Sequence, residues 1–309
     1  MAAFQLLPAC KDYIWGGHRR LREDFGIQSD MDPLAEAWVL STRPDGPSLM
    51  KGSLCDGMTF PEFLAQRGKK ALGTLGEKFE NFPLLVKLID AEKNLSVQVH
   101  PTDEYALAHE GQSGKVKLWV VLHAERGAYL YYGFERKVTK KEYRDHIDDG
   151  TLTDLLHKVT VKEGDVFFIP AGTIHAMGKG LVIAEFQQNS NAAYRVFDYN
   201  RLGADGQPRP LQIEKALEVT DLSPVEPMDF GEHLGKCPYF TVDRHVGTFN
   251  GECGKDSFHV LLVADGGATL YCDGEHKTMN KGDCFFLPAG SGDYRAEGNC
   301  EILTAYLSE

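Results

Sequence analysis

The chain has no pair of cysteines in a CxxC arrangement. Its seven cysteines (Cys10, Cys55, Cys237, Cys253, Cys272, Cys284 and Cys300) are odd in number and irregular in spacing. That argues against a disulfide framework or a zinc knuckle and reads as reduced thiols in a cytoplasmic protein. No apolar run approaches the roughly 20 residues that a membrane helix requires, so no membrane is expected as a partner. The stretch Leu6-Leu7-Pro8-Ala9-Cys10 ends like a lipoprotein cleavage site. No basic region and no long apolar segment precede it, and it is set aside. Positive charge is scarce as well: 33 Lys and Arg against 45 Asp and Glu leave a net charge of −12. Such a surface repels phosphate backbones, which argues against nucleic acid. The densest basic cluster, His18-Arg19-Arg20 with Arg22, is short, is followed by Glu23-Asp24, and reads as a solvated face.

What is present is an ordinary globular composition, 42% hydrophobic and 25% charged, in 309 residues. That length is a prior for roughly two domains. Short apolar or alternating runs dominate: 35–41, 83–90, 95–100, 118–132, 165–169, 181–187 and the stretch 240–307 read as strands. Helical spacing is confined to about 57–80, 103–110, 138–157 and 211–219, and Pro224, Pro227 and Gly231 mark a linker.

One sentence is written twice. GDVFFIPAGTIHA (164–176) returns as GDCFFLPAGSGDY (282–294), 118 positions on, from Asp165 to Asp283. LHAERGA (122–128) precedes the first copy as LVADGGA (262–268) precedes the second. The spacing from Gly127 to Gly164 is 37 residues and from Gly267 to Gly282 is 15. The difference of 22 matches the charged helical stretch near 138–157, which is therefore an insertion. Duplicated short strands bounded by Gly-Asp and Pro-Ala-Gly turns imply two small β-barrels or jelly rolls. The pattern G-D-x-F-x-[IV]-P-x-G-x-x-H also resembles the second motif of the cupin superfamily, whose histidine is a metal ligand inside the barrel. The fold class expected is mainly β: two cupin-like barrels with short helical insertions. The first, 1–230, is the catalytic domain; the second, 231–309, lacks metal ligands. His175 of the first copy is replaced by Asp293 in the second.

Ser96, Gln98 and His100 alternate along one strand and so share a face. A Ser-x-Gln-x-His face inside a small barrel needs partners for its polar groups. With His175 it offers an amide oxygen and two imidazole nitrogens, a set suited to zinc, with Fe, Co, Ni or Mn as alternatives. A hydrogen-bonded polar face without metal accounts for the pattern equally well.

FPLLVKLIDA (82–91), LSVQVHPTDEYA (95–106), IPAGTIHAMGKG (169–180) and EFQQNSNAAYRVFDY (185–199) resemble the signatures of type I mannose-6-phosphate isomerases. WGG (15–17) and EAWVLS (36–41) fit as well, and the likeness is to the short bacterial form. The resemblance implies an aldose–ketose isomerase that interconverts mannose 6-phosphate and fructose 6-phosphate through a cis-enediol, with one zinc ion per chain. It implies Gln98, His100 and His175 as metal ligands. It implies Lys87, Ser96, Lys115 and Arg195 as substrate-binding, and Arg195, Lys115 and Glu185 as catalytic. A sugar phosphate is the partner, and the state is monomer or homodimer. Such chemistry needs a base and a positive centre for charge on two oxygens.

Two positions depart from the family pattern. GKVKLW (114–119) puts Lys117 where the family has its fourth zinc ligand, a glutamate, and Asn191 stands where an aspartate is usual. Both changes remove negative charge from one pocket. The alternative reading is therefore a non-catalytic sugar-phosphate-binding paralogue with an impaired metal site. A cupin oxygenase would want a fuller His/Glu set.

Overall fold

The computed structural model describes residues 3–52, 55–203 and 206–309. The chain packs as two compact units. One comprises Met1–Lys11, His18–Leu88 and Asp229–Glu309; the other comprises Asp12–Gly17 and Ile89–Met228. One border thus falls beside the linker expected near residue 230, while most of the first 88 residues group with the C-terminal ones. Both units are built mainly of antiparallel strands with few helices, the architecture expected of the duplicated barrel. Among the described residues no helix is long and apolar enough to cross a membrane.

In the first unit a nine-stranded sheet runs Gly235–Cys237, Phe240–Val246, Gly292–Tyr306, His259–Cys272, Cys284–Leu287, Phe4–Leu7, Leu49–Lys51, with Phe249–Cys253 and Glu275–Asn280 paired onto the two long strands. The N-terminal strand belongs here because Gln5 stands opposite Phe285 in the ladder, with Phe4 and Leu6 buried. The interior is apolar, filled by Leu261, Val263, Leu270, Met279, Phe285, Tyr294 and Ile302 among others.

The helix expected over 57–80 is shorter than its apolar spacing implied. It spans Phe60–Arg67, begins with a capping box between Thr59 and Glu62, and stops at Gly68, where φ is 70°. Two 3-10 turns, Lys69–Ala71 and Thr74–Gly76, follow. The stop is Gly68 itself, whose left-handed φ does not continue a helix. Further on, Gly73 has a φ of +83°, and a Cβ there would lie 2.4 Å from the Asp256 carbonyl oxygen, so this turn packs directly against a neighbouring backbone.

In the second unit a five-stranded sheet runs Tyr194–Phe197, Val97–Val99, His175–Met177, Tyr129–Phe134, Leu156–Thr160. The strand Lys117–Ala124 is flanked by Val166–Ile169 and Leu181–Gln188. The inserted segment forms the helix Lys140–Asp148, capped by Thr139 and Glu142, and a 3-10 turn Leu152–Leu155. Its Tyr143, Ile147 and Leu152 bury into the same core as Val97, Val99, Phe134 and Val196. Within the expected stretch 138–157, Leu156 and His157 are already strand. The short helices Asp103–Glu110 and Ile213–Val219 lie where spacing placed them.

Candidate active site and metal centre

Val97 and Val99 are fully buried in the core of the second unit. Alternation on the strand therefore turns Ser96, Gln98 and His100 to the opposite face. Two further constraints fix this edge. Gly172 of the Pro170-Ala171-Gly172 turn donates its N–H to the His100 carbonyl at 2.8 Å. Three residues on, His175 stands opposite both Gln98 and Tyr132 in the sheet. The repeated turn thus delivers the motif histidine to the Gln98 strand.

His100 and His175 are 1% and 0% exposed, with ring centroids 4.8 Å apart. His100 Nδ1 faces the Ala192 carbonyl at 2.9 Å, and His175 Nδ1 faces the Thr173 carbonyl at 2.8 Å. A carbonyl oxygen only accepts, so each Nδ1 carries the proton and each Nε2 carries a lone pair. Both Nε2 atoms are buried without a hydrogen-bond partner. A buried unsatisfied polar atom costs about 1–3 kcal/mol, and a pair side by side calls for an explanation. Burial, then the charges of Lys115 and Lys117, holds the His100 imidazole well below its usual range. Burial and then Lys117 push His175 down to about 3. Both rings are therefore neutral in ordinary conditions, the state in which an imidazole binds a metal.

The charged side of the site lies on two paired strands of a different sheet. Lys117 and Trp119 point the same way from Lys117–Ala124, and Trp119 stands opposite Glu185 in the ladder. Glu185 Oε2 accepts from Lys117 Nζ at 2.8 Å and from Trp119 Nε1 at 2.7 Å. All three residues are buried. The Trp119 ring meets the His175 ring edge-on at 5.3 Å. Lys115 is carried by a tight loop: its N–H bonds to the Pro101 carbonyl at 3.0 Å, and a Cβ on Gly114 would fall 2.4 Å from the Thr102 carbonyl carbon. Only glycine lets this loop lie so close to the chain that leaves His100.

Arg195, opposite Gln98 in the sheet, donates from Nε to Ser96 Oγ at 3.2 Å and from Nη1 to the Pro210 carbonyl at 2.9 Å. Burial, and then Arg209, lowers its affinity for the proton; a guanidinium starts so high that it keeps its charge. Asp198 lies beside it and binds Arg201 and Arg209. Their hydrogen bonds hold its carboxyl below the usual range against the opposing effect of burial.

The structure brings Ser96 to Arg195, Gln98 and His100 to His175, and Lys117 to Glu185. Lys87 belongs to the other unit, where Glu36 holds it at 3.2 Å. Asn191 is exposed, and its backbone N–H bonds to Gln112 Oε1. Trp119 had no role in the sequence reading. The signal was available in the Lys-x-Trp alternation of 117–119, but only the fold shows which carboxylate the indole holds. The carbonyls of Thr173 and Ala192 that fix the tautomers leave no trace in residue identity.

A divalent ion fits this donor set on one observation: two buried, unprotonated and unpartnered imidazole nitrogens in adjoining rings, each with its other nitrogen pinned to a carbonyl. Among the described residues no group of three or more His, Cys, Asp or Glu stands together as a ligand set. Gln98 stands opposite His175 in the sheet, its amide on the same side of the strand as His100.

Comparison with known proteins agrees with this architecture. Residues 3–153 match the family model for the phosphomannose isomerase type I catalytic domain, and 232–307 match that for the mannose-6-phosphate isomerase cupin domain. The mannose-6-phosphate isomerase ManA of Bacillus subtilis is 34% identical, covering 97% of each chain. The crystal structure of the mannose 6-phosphate isomerase from Bacillus subtilis superposes with a TM-score of 0.90 at 31% identity over 99% of each chain. A more distant mannose 6-phosphate isomerase, 17% identical with a TM-score of 0.78 and covering 100% of each chain, shares the fold and was solved bound with zinc and yttrium. The chain belongs to the type I mannose-6-phosphate isomerase family and carries that family's catalytic and cupin domains. It is an enzyme of the isomerase class.

Proposed function

We propose that this chain interconverts mannose 6-phosphate and fructose 6-phosphate, moving a proton between C1 and C2 through a cis-enediol, with a zinc ion held by Gln98, His100 and His175. The reading is carried by the two buried Nε2 lone pairs, which a resident cation would satisfy together. When bound, the metal supplies a positive centre that polarises the oxygens on C1 and C2. The remaining work falls to side chains. Arg195, braced by Ser96 and the Pro210 carbonyl, presents fixed positive charge where the enediol oxygens gain negative charge. Ser96, Lys115 and Arg195 form the substrate grip, pairing donors with the sugar phosphate. Glu185 is the acidic member of the catalytic set, its carboxylate position fixed by Trp119 and Lys117. The catalytic residues Arg195, Lys115 and Glu185 lie within 1–230, which we assign as the catalytic domain, with 231–309 as a barrel without metal ligands. Seven free thiols suit a cytoplasmic enzyme.

The test is a coupled assay of mannose 6-phosphate turnover on protein stripped with a chelator and then titrated with zinc. Turnover should vanish on stripping and return as zinc is added. Protein that stays inactive across the titration, while folded by circular dichroism, would refute the isomerase reading.

A further inference from the structure

Two buried carboxylates in this chain are held in the same way. Glu36 Oε2 accepts from Trp38 Nε1 at 2.6 Å and pairs with Lys87 Nζ at 3.2 Å. Glu185 Oε2 accepts from Trp119 Nε1 at 2.7 Å and from Lys117 Nζ at 2.8 Å. In each trio the indole sits two residues along a strand from one charged partner, and the ammonium neutralises the carboxylate. The arrangement buries an ion pair with an indole N–H on the same carboxylate oxygen. The surroundings of the second trio set it apart. Its indole meets the His175 ring edge-on at 5.3 Å, and its ammonium lies 5.8 Å from the centroid of that same indole. Lys117 is 5% exposed and Glu185 1%, so solvent screens little of this charge.

A dication approaching the two imidazoles therefore meets a buried positive charge, and the buried carboxylate near His175 is already engaged by that charge. We propose that Lys117 is a resident cation that restrains divalent-metal binding at Gln98, His100 and His175, by holding Glu185 and by setting like charge beside the imidazoles. The inference rests on the metal reading of that cluster. The ion is then held by neutral donors alone. Its binding is weak and exchangeable, and the nitrogen donors favour zinc, nickel or cobalt over hard ions such as magnesium. Replacing the ammonium with a neutral side chain lifts the repulsion and turns Glu185 from a partner of lysine into a partner for the metal.

The experiment measures zinc affinity of the full chain by competition with a chromogenic chelator, for wild type, Lys117→Met, Glu185→Gln and the double variant. Lys117→Met should bind zinc at least tenfold more tightly. Glu185→Gln alone should change affinity little, whereas in the Lys117→Met background it should remove most of the gain. Thermal melting adds a second readout: Lys117→Met should melt lower than wild type without zinc and recover with it, because the metal replaces the lost partner of Glu185. Lys117→Gln, which keeps a polar neighbour for Glu185, serves if the methionine variant fails to fold. A folded, uncharged Lys117 variant that binds zinc no more tightly than wild type overturns the inference. If wild type still binds through His100 and His175 in that case, the metal reading stands. Zinc binding by none of the variants overturns both.

Discussion

The two copies of the repeated sequence fold their turns alike and then part at one residue. In the first, Gly164 N–H bonds to Val121 O, Val121 N–H to Asp165 O, Asp165 N–H to Lys162 O, and Lys162 N–H to Asp165 Oδ2. In the second, Gly282, Val263, Asp283 and Asn280 make the same four bonds. The glycines share a left-handed φ, 86° and 90°. The Pro-Ala-Gly turns close equivalently, Thr173 N–H to Pro170 O and Ser291 N–H to Pro288 O. Beyond that turn the copies diverge. His175 is fully buried beside His100, while Asp293 is exposed, paired in the sheet with Glu252. The side chain that turns inward is the next one, Tyr294, whose hydroxyl meets His259 Nδ1 at 3.0 Å. Gly251 makes room for it, since a Cβ there would fall 2.3 Å from the tyrosine ring. One copy delivers a histidine to its interior; the other fills its interior with an apolar core and one tyrosine. What is shared is the turn, and what differs is which residue of the following strand faces in.

The largest break in that comparison is expected from the motif histidine. His175→Ala should weaken zinc binding by at least roughly 100-fold and abolish measurable turnover. Asp293→His should create no zinc site, because position 293 faces outward; equilibrium dialysis of both variants checks the pair. Next in size is the shared glycine. Gly282→Ala forces a Cβ to 2.2 Å from the Phe25 carbonyl oxygen at a positive φ, and should lower stability by about 2–4 kcal/mol by urea titration. The smallest effect concerns acid. Burial pushes His259 down to about 4, so between pH 6.5 and about 4 the unfolded chain binds a proton there that the folded chain does not. Stability falls as pH drops through that window, by up to about 3 kcal/mol from this group alone. His259→Asn should flatten that part of the slope in urea midpoints taken at pH 7 and 4.5.

Much of the fold was legible in residue order. Gly-Asp and Pro-Ala-Gly turns, and the 22-residue surplus that forms the helix Lys140–Asp148, are local signals read over a few positions. The helix near 60 was legible only at its start, where Thr59 and Glu62 cap it; the apolar spacing ran past its stop at Gly68, and the packing of Gly73 on the distant Asp256 backbone left no local signal. The site divides the same way. Ser96, Gln98 and His100 share a face by alternation alone. The proximity of His100 to His175, and of Glu185 to Lys117 and Trp119, depends on sheet register between distant strands.

The sequence by itself determined that there are two barrels, where their turns fall, that one copy keeps a histidine and that Lys117 is a cation. Those properties depend on residue type and short spacing. Only the tertiary structure decided that both histidines present lone pairs, that Lys117 is bound to Glu185, and that position 293 faces outward. Each of these follows from which backbone carbonyl or neighbouring strand lies within hydrogen-bonding reach, and that is set by packing of segments far apart in the chain.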